Sequence, residues 1–124
     1  MKIHEVFTRI FLNSSEIDSH ISFYENLCGQ KCKLRFKYDE KGLELATVGP
    51  FLLISGSKNH LKPFKETRVT CLVDSIDDFK AFLQERGATI LDEPKIVPTG
   101  RNMRARHADG LVVEYVEHNT RGKA

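Results

Sequence analysis

Three strand-like stretches of this sequence carry arginine on one face. Phe7, Arg9 and Phe11 share a face of the first stretch, and Arg68, Thr70 and Leu72 share a face of the second. Asn102, Arg104 and Arg106 share a face of the third, with Met103 and Ala105 on the other. A guanidinium group forks onto carboxylate or phosphate, and aromatic rings supply flat apolar area. Buried arginines left without a partner are costly, so something negative must face them. One reading is a small anionic or planar ligand. The other is an internal ion-pair network in which Glu114, with Glu44 as a second acid, neutralises the arginines. Glu114 also supplies a carboxylate suited to general-base work if the chain is an enzyme.

The remaining reactive side chains are scattered. His4 lies near the start, His20 off the apolar stripe of the first predicted helix, His60 in a predicted linker and His118 near the end. His107 alone stands near the arginine-bearing face, where it reads as a turn residue bonded to backbone or as a proton-transfer group. Cys28, Cys32 and Cys71 are an odd set without a CxxC pair, so free thiols are expected, with Cys71 a buried small hydrophobe beside Val69 and Val73. The chain has neither a G-x-S-x-G elbow nor a glycine-rich phosphate loop.

The elements that must position these residues follow from period and punctuation. Val6 to Leu12 alternates as a strand. Asn13-Ser14-Ser15-Glu16-Ile17-Asp18 is a helix start, with Ser15 as cap and Asp18 reaching back. Ile17, Ile21, Tyr24 and Leu27 fall on one helical face, with Phe23 and Cys28 beside them and Gly29 as the stop. Lys31 to Tyr38, Leu43 to Val48 and Phe51 to Ser55 read as three further strands. After a linker the order repeats. Arg68 to Val73 is a strand, Ser75-Ile76-Asp77-Asp78 caps a helix to Arg86, and Gly87 stops it. Strands follow at Thr89 to Leu91, around Lys95 to Val97, at Asn102 to Arg106 and at Leu111 to Val116. Turns are expected at Asp92-Glu93-Pro94, Pro98-Thr99-Gly100 and Asp109-Gly110. Ile17-Asp18 with Phe23 answers to Ile76-Asp77 with Phe82, which marks the duplication in letters.

The predicted architecture is α+β, two tandem βαβββ modules. One helix per module cannot cover both faces of a four-stranded sheet, so the uncovered faces are expected to pair around a cupped, sheet-lined cavity. A ferredoxin-like sandwich uses the same local elements and is the alternative. The boundaries read as a single domain over 1–119, with module one at about 1–57, a linker at 56–66, module two at about 67–118 and a flexible tail at 119–124. The chain has 124 residues with 40% hydrophobic and 29% charged, enough for a core of its own, and the formal charge of +2 gives no nucleic-acid signal. No apolar run approaches the roughly 20 residues of a membrane span. Met1-Lys2-Ile3-His4-Glu5 lacks the pattern of a secretory leader, so no membrane partner and a cytoplasmic location are expected. Lys58, Lys62 and Lys65 flank Pro63 in what reads as an exposed loop.

Ile17-Asp18 through Phe23-Tyr24-Glu25-Asn26-Leu27-Cys28-Gly29 resembles the "LDxxxxFYxxxLG" helix of the vicinal-oxygen-chelate (glyoxalase/bleomycin-resistance/dioxygenase) superfamily. His107-Ala108-Asp109-Gly110-Leu111-Val112-Val113-Glu114 resembles its "DPDGxxxE" turn and last strand, with Ala108 where proline is usual. The resemblance implies the glyoxalase/bleomycin-resistance fold and, in metal-dependent members, a divalent ion held from the first and last strand of each module. The matching positions here are Phe7 or Arg9, Arg68, one of Leu52, Leu53 and Ile54, and Glu114. Only Glu114 can ligate, so no metal is expected, with a divalent metal as the minority alternative.

The leading expectation is metal-independent binding or sequestration of a small anionic or planar compound, as in the bleomycin-resistance branch. Its ligand set is Phe7, Arg9, Phe11, Arg68, Thr70, Asn102, Arg104, Arg106 and Glu114, and Pro98-Thr99-Gly100-Arg101-Asn102-Met103 is expected at the pocket rim. A glyoxalase-type lyase, isomerase or dioxygenase using Glu114 is the alternative, and a noncatalytic partner domain a third reading. The resemblance further implies a homodimer.

Overall fold

The structure is a computed structural model and describes residues 1–119; the tail expected at 119–124 falls outside it except for Asn119. Asn119 itself donates its backbone N–H to the Thr99 carbonyl at 3.0 Å. The chain forms two units, one of residues Phe7–Glu66 and the other of Met1–Val6 together with the chain from Thr67 onward. Each is built on the βαβββ plan, and the fold is the α+β glyoxalase/bleomycin-resistance fold.

In the first unit, strand β1 (Ile3–Asn13) contributes its residues from Phe7 on, followed by helix α1 (Ile17–Cys28) and strands β2 (Leu34–Tyr38), β3 (Leu43–Val48) and β4 (Phe51–Gly56). The sheet order is β2-β3-β4-β1, with β1 parallel to β4 and the other pairs antiparallel. Leu12, Ile17, Ile21, Ala46, Val48 and Leu53 form its core, with Ile10, Tyr24 and Cys28 packed against it. The expected cap of α1 is corrected. A 3-10 turn over Ser14–Glu16 precedes the helix, and Asn13, not Ser15, closes it, donating its N–H to the Glu16 side chain at 3.0 Å. The helix face is corrected too, because Leu27 is 61% exposed and Phe23 57% while Tyr24 and Cys28 pack inward. Gly29 does stop the helix, in the left-handed conformation that suits glycine, with its N–H on the Glu25 carbonyl. The linker is not an extended loop. Ser57 caps a helical turn, α2 (Lys58–Leu61), which runs into a 3-10 turn over Lys62–Phe64 and buries Leu61.

The second unit holds β5 (Val69–Val73), α3 (Ile76–Glu85), β6 (Thr89–Val97), β7 (Gly100–Arg106) and β8 (Val112–His118). Its order is β5-β8-β7-β6, with β5 parallel to β8 and the rest antiparallel, which repeats the plan of the first sheet. Cys71, Val73, Ile76, Phe79, Leu83, Met103, Ala105, Val113 and Tyr115 pack the helix onto one sheet face. Ser75 caps α3 through the Asp78 N–H, and the Glu117 carboxylate accepts from the Ile76 N–H at 2.9 Å. A carboxylate there complements the positive end of the helix. Asp92-Glu93-Pro94 is not a turn. It lies inside β6, which carries two register irregularities, between Ile90 and Asp92 and between Asp92 and Lys95. Gly100 is not a loop residue but the first residue of β7. A Cβ there would stand 2.0 Å from the Glu117 carbonyl oxygen, so only glycine admits this approach. Lys2 belongs to this unit and exchanges two bonds with Asp74, its N–H to the carboxylate at 2.9 Å and the Asp74 N–H to its carbonyl at 3.1 Å. That N–H bond draws the Asp74 carboxyl below its usual range.

Candidate functional site

The sheet face of the second unit that turns away from α3 carries the polar residues, and strand registry arranges them in rows. One row runs Thr70, Glu114, Arg104, Asp92 across β5, β8, β7 and β6. Neighbouring strands lie about 4.8 Å apart, so this row alternates neutral, negative, positive and negative groups at that spacing. Glu114 is half-buried, and both its oxygens accept hydrogen bonds. Thr70 Oγ1 donates to Oε1 at 3.1 Å, and Asn102 Nδ2 donates to Oε2 at 2.9 Å. Two neutral donors from flanking strands fix the plane of the carboxylate.

Arg104 is held by other partners. Its Nε donates to Asp92 Oδ2 at 2.6 Å, and a second guanidinium N–H donates to Thr67 Oγ1 at 3.1 Å. Thr67 is fully buried, so this bond satisfies a hydroxyl that water cannot reach. Sequence reasoning missed Asp92 and Thr67. Glu114 stands opposite Arg104 on the paired strands β8 and β7, whereas Glu44 lies on the first unit. There Glu44 accepts from Arg35 Nε at 2.8 Å, and Arg35 also meets Asp18 at 2.8 Å. These two carboxylates raise the Arg35 pKa above its usual value, Glu44 contributing first.

The next row toward the start of β8 holds Arg68, Val112 and Arg106. Arg106 stands opposite Val112 on β7, and Arg68 donates its backbone N–H to the Val112 carbonyl at 3.2 Å. Both arginines are exposed. Phe7, Arg9 and Phe11 belong to the first unit, on the face of β1 opposite Ile10 and Leu12. Phe7 is buried, and the Arg9 guanidinium carbon lies 5.8 Å from the Phe11 ring centre, within cation–π range. The nine candidates therefore fall in two sets, six on the second unit and three on the first.

His107 sits in the turn expected of it, its backbone N–H donating to the Leu111 carbonyl and its carbonyl accepting from the Gly110 N–H, both at 2.9 Å. His107 does not reach Glu114. Its Nε2 shares a 2.6 Å hydrogen bond with the Tyr115 hydroxyl, which lies in the core under α3. Burial pushes the Tyr115 phenol up to about 12. The same burial raises the Cys71 thiol pKa, which suits an inert core residue. Arg101 pairs with Asp77 on α3 at 3.3 Å, so this part of the predicted rim points to the helix instead.

The metal reading can be tested on donor chemistry. A divalent ion needs several converging oxygen or nitrogen donors. Among the described residues no group of three or more His, Cys, Asp or Glu forms such a set. Both oxygens of Glu114 already accept from protein donors, and its row neighbour is a cation. The residues present do not fit a divalent ion.

Over 96% of its length the chain matches a crystal structure of an uncharacterized protein from Methanosarcina mazei, covering 95% of that chain at 47% identity and a TM-score of 0.88. The chain belongs to the family of that protein. More distant likenesses show the fold that the family shares. Methylmalonyl-CoA epimerase from Mycobacterium tuberculosis matches at 17% identity and TM-score 0.70, covering 98% of this chain and 93% of that one. A Streptomyces coelicolor methylmalonyl-CoA epimerase variant, in complex with 2-nitronate-propionyl-CoA, matches at 17% and 0.65, covering 95% and 99%. No protein-family model matches the chain, and no curated protein does. Among the described residues no helix is long and apolar enough to cross a membrane.

Proposed function

We propose that this chain is a vicinal-oxygen-chelate superfamily protein that binds a small molecule without a divalent metal, on the second unit's sheet face that carries Glu114. The observation behind this reading is the row Thr70, Glu114, Arg104, Asp92. Its one superfamily-type acid accepts a neutral donor on each oxygen, and its cation Arg104 is paired within the protein. The oriented Glu114 carboxylate takes a hydrogen-bond donor of the ligand, while Asn102 and Thr70 hold it. The ligand is small and anionic or planar, and its negative end is directed away from Glu114. Phe7, Arg9 and Phe11 are proposed as ligand-binding on the first unit's own sheet. Sequestration of the bleomycin-resistance type, a homodimeric state and a cytoplasmic location complete the reading.

A second reading is favoured by the epimerase likenesses. In it Glu114 moves a proton at a carbon next to a carbonyl, as a glyoxalase-type isomerase or lyase would. Native mass spectrometry separates metal-free binding from metal use and reports subunit count and co-purified compounds together. A metal-free protein with a retained small molecule is the expected result. One equivalent of zinc, cobalt or nickel retained by the wild type and lost in Glu114→Gln would overturn the metal-independent reading. Proton NMR of methylmalonyl-CoA in deuterated water tests the isomerase. Exchange of the proton next to the carbonyl, absent in Glu114→Gln, would put catalysis first.

A further inference from the structure

Two of the three arginines on the Glu114 face differ from the third in one respect. Arg104 is spent on Asp92 and Thr67. Arg68 and Arg106 make no side-chain hydrogen bond or ion pair among the described residues, and both are exposed. They flank Val112 from β5's lead-in and from β7, so their Cα positions stand about two strand spacings, roughly 10 Å, apart. Two long side chains from such positions converge readily on one small group. Val112 between them is buried and apolar, so β8 carries no acid at the position that separates them.

We infer that Arg68 and Arg106 form an anion clamp across Val112 that takes a carboxylate or phosphate group of the ligand. This rests on the reading that the Glu114 face holds the ligand, and it adds the direction in which that ligand lies. Two residues along a strand cover about 6.7 Å, so Glu114 stands one row deeper than the clamp. Row by row the charges read Arg68 and Arg106 with no acid between them, then Glu114, Arg104 and Asp92 with a net charge of −1. An anionic group is attracted to the first row and repelled by the second. The ligand class is therefore bifunctional: a carboxylate or phosphate at one end, and an O–H, N–H or acidic C–H donor about one sheet row away. Guanidinium forks suit both anions, since each presents two or three oxygens to paired N–H groups.

Side-chain NMR of the full chain tests the clamp, with succinate and inorganic phosphate as probes. The Nε–Hε signals of Arg68 and Arg106 should shift and saturate, while that of Arg104, already bonded to Asp92, stays put. Preference for succinate over phosphate would name the group as carboxylate, and the reverse would name it as phosphate. Arg68→Ala and Arg106→Ala should each weaken probe binding about tenfold, as loss of a charged hydrogen bond does, and the double variant should abolish it. Unmoved signals, or equal binding by Lys58, Lys62 and Lys65, would overturn the clamp. Glu114→Gln keeps the two ideas separable. Probe binding that survives this change while the wild type retains a metal would sink the reading of the face and leave the clamp. A co-purified compound that binds equally well in the double arginine variant, but not in Glu114→Gln, would sink the clamp alone.

Discussion

Arg104→Ala should destabilise the protein far more than Arg106→Ala, although both residues are arginines on one strand and one face. Arg104 loses two kinds of contact. Thr67 Oγ1 is left buried without its donor, which costs about 1–3 kcal/mol. The Asp92 pair adds less. The Asp92 side chain is 37% exposed and that of Arg104 23%, so water screens the pair and about 0.5 kcal/mol is the reasonable share. The sum is about 1.5–3.5 kcal/mol. For a chain of this size that corresponds to a fall in Tm of roughly 10 °C. Arg106→Ala removes no bond and should lie within about 0.5 kcal/mol of the wild type. Urea unfolding followed by circular dichroism reads both, with an unchanged slope and a shifted midpoint expected for Arg104→Ala. A double-mutant cycle with Asp92→Ala then isolates the ion pair, for which a coupling of about 0.5 kcal/mol is expected. Equal losses for the two arginines would refute the division of labour between them, and with it the charge pattern of the sheet face.

Tyr115 supplies a pH test. Its phenol titrates near 12 in the folded chain against about 10 when unfolded, so the folded state holds the proton more tightly and stability must fall as pH rises through that window. The loss reaches about 2 kcal/mol by pH 12, and Tyr115→Phe should show a flatter stability profile above pH 10 by chemical denaturation. On α1, Ile21→Ala should cost about 2–4 kcal/mol whereas Leu27→Ala should cost under about 0.5 kcal/mol, as measured by urea midpoints. Gly100→Ala should cost well over 1 kcal/mol, since its Cβ would press on the Glu117 backbone, and hydrogen exchange should report a loosened β7–β8 ladder there.

The repeated βαβββ plan was legible because strand and helix periods, capping serines and stop glycines all recur at matching offsets. The errors have physical causes. At 100° per residue, Ile17, Ile21, Tyr24 and Cys28 fall within an arc of about 60°, while Leu27 lies about 60° beyond its edge. Greasiness alone favoured leucine over cysteine, but geometry decided. Pro94 suggested a break in the strand, yet β6 is the outermost strand of its unit's sheet, where a missing N–H costs no ladder bond. The Arg104–Asp92 pair was invisible for a subtler reason. Counting from the Lys95 and Asn102 pairing sets Asp92 opposite Ala105, on the helix side. The irregularity between them shifts the register by one residue and brings Asp92 to Arg104 instead. Alternation did sort Asn102, Arg104 and Arg106 from Met103 and Ala105, because β7 and β8 pair without interruption. What no spacing rule contains is which of several arginines already has a partner.

The bond pair between Lys2 and Asp74 joins residues 72 positions apart within one unit. On a ribosome adding about 5–20 residues each second, Lys2 waits roughly 4 to 14 s before Asp74 is even synthesised. Phe7 onward can meanwhile settle into its own unit, with β4 already available to β1. Residues 1–6, Ile3 and Val6 among them, spend that interval as a strand segment without its partners, the form most open to chaperones and to other nascent chains.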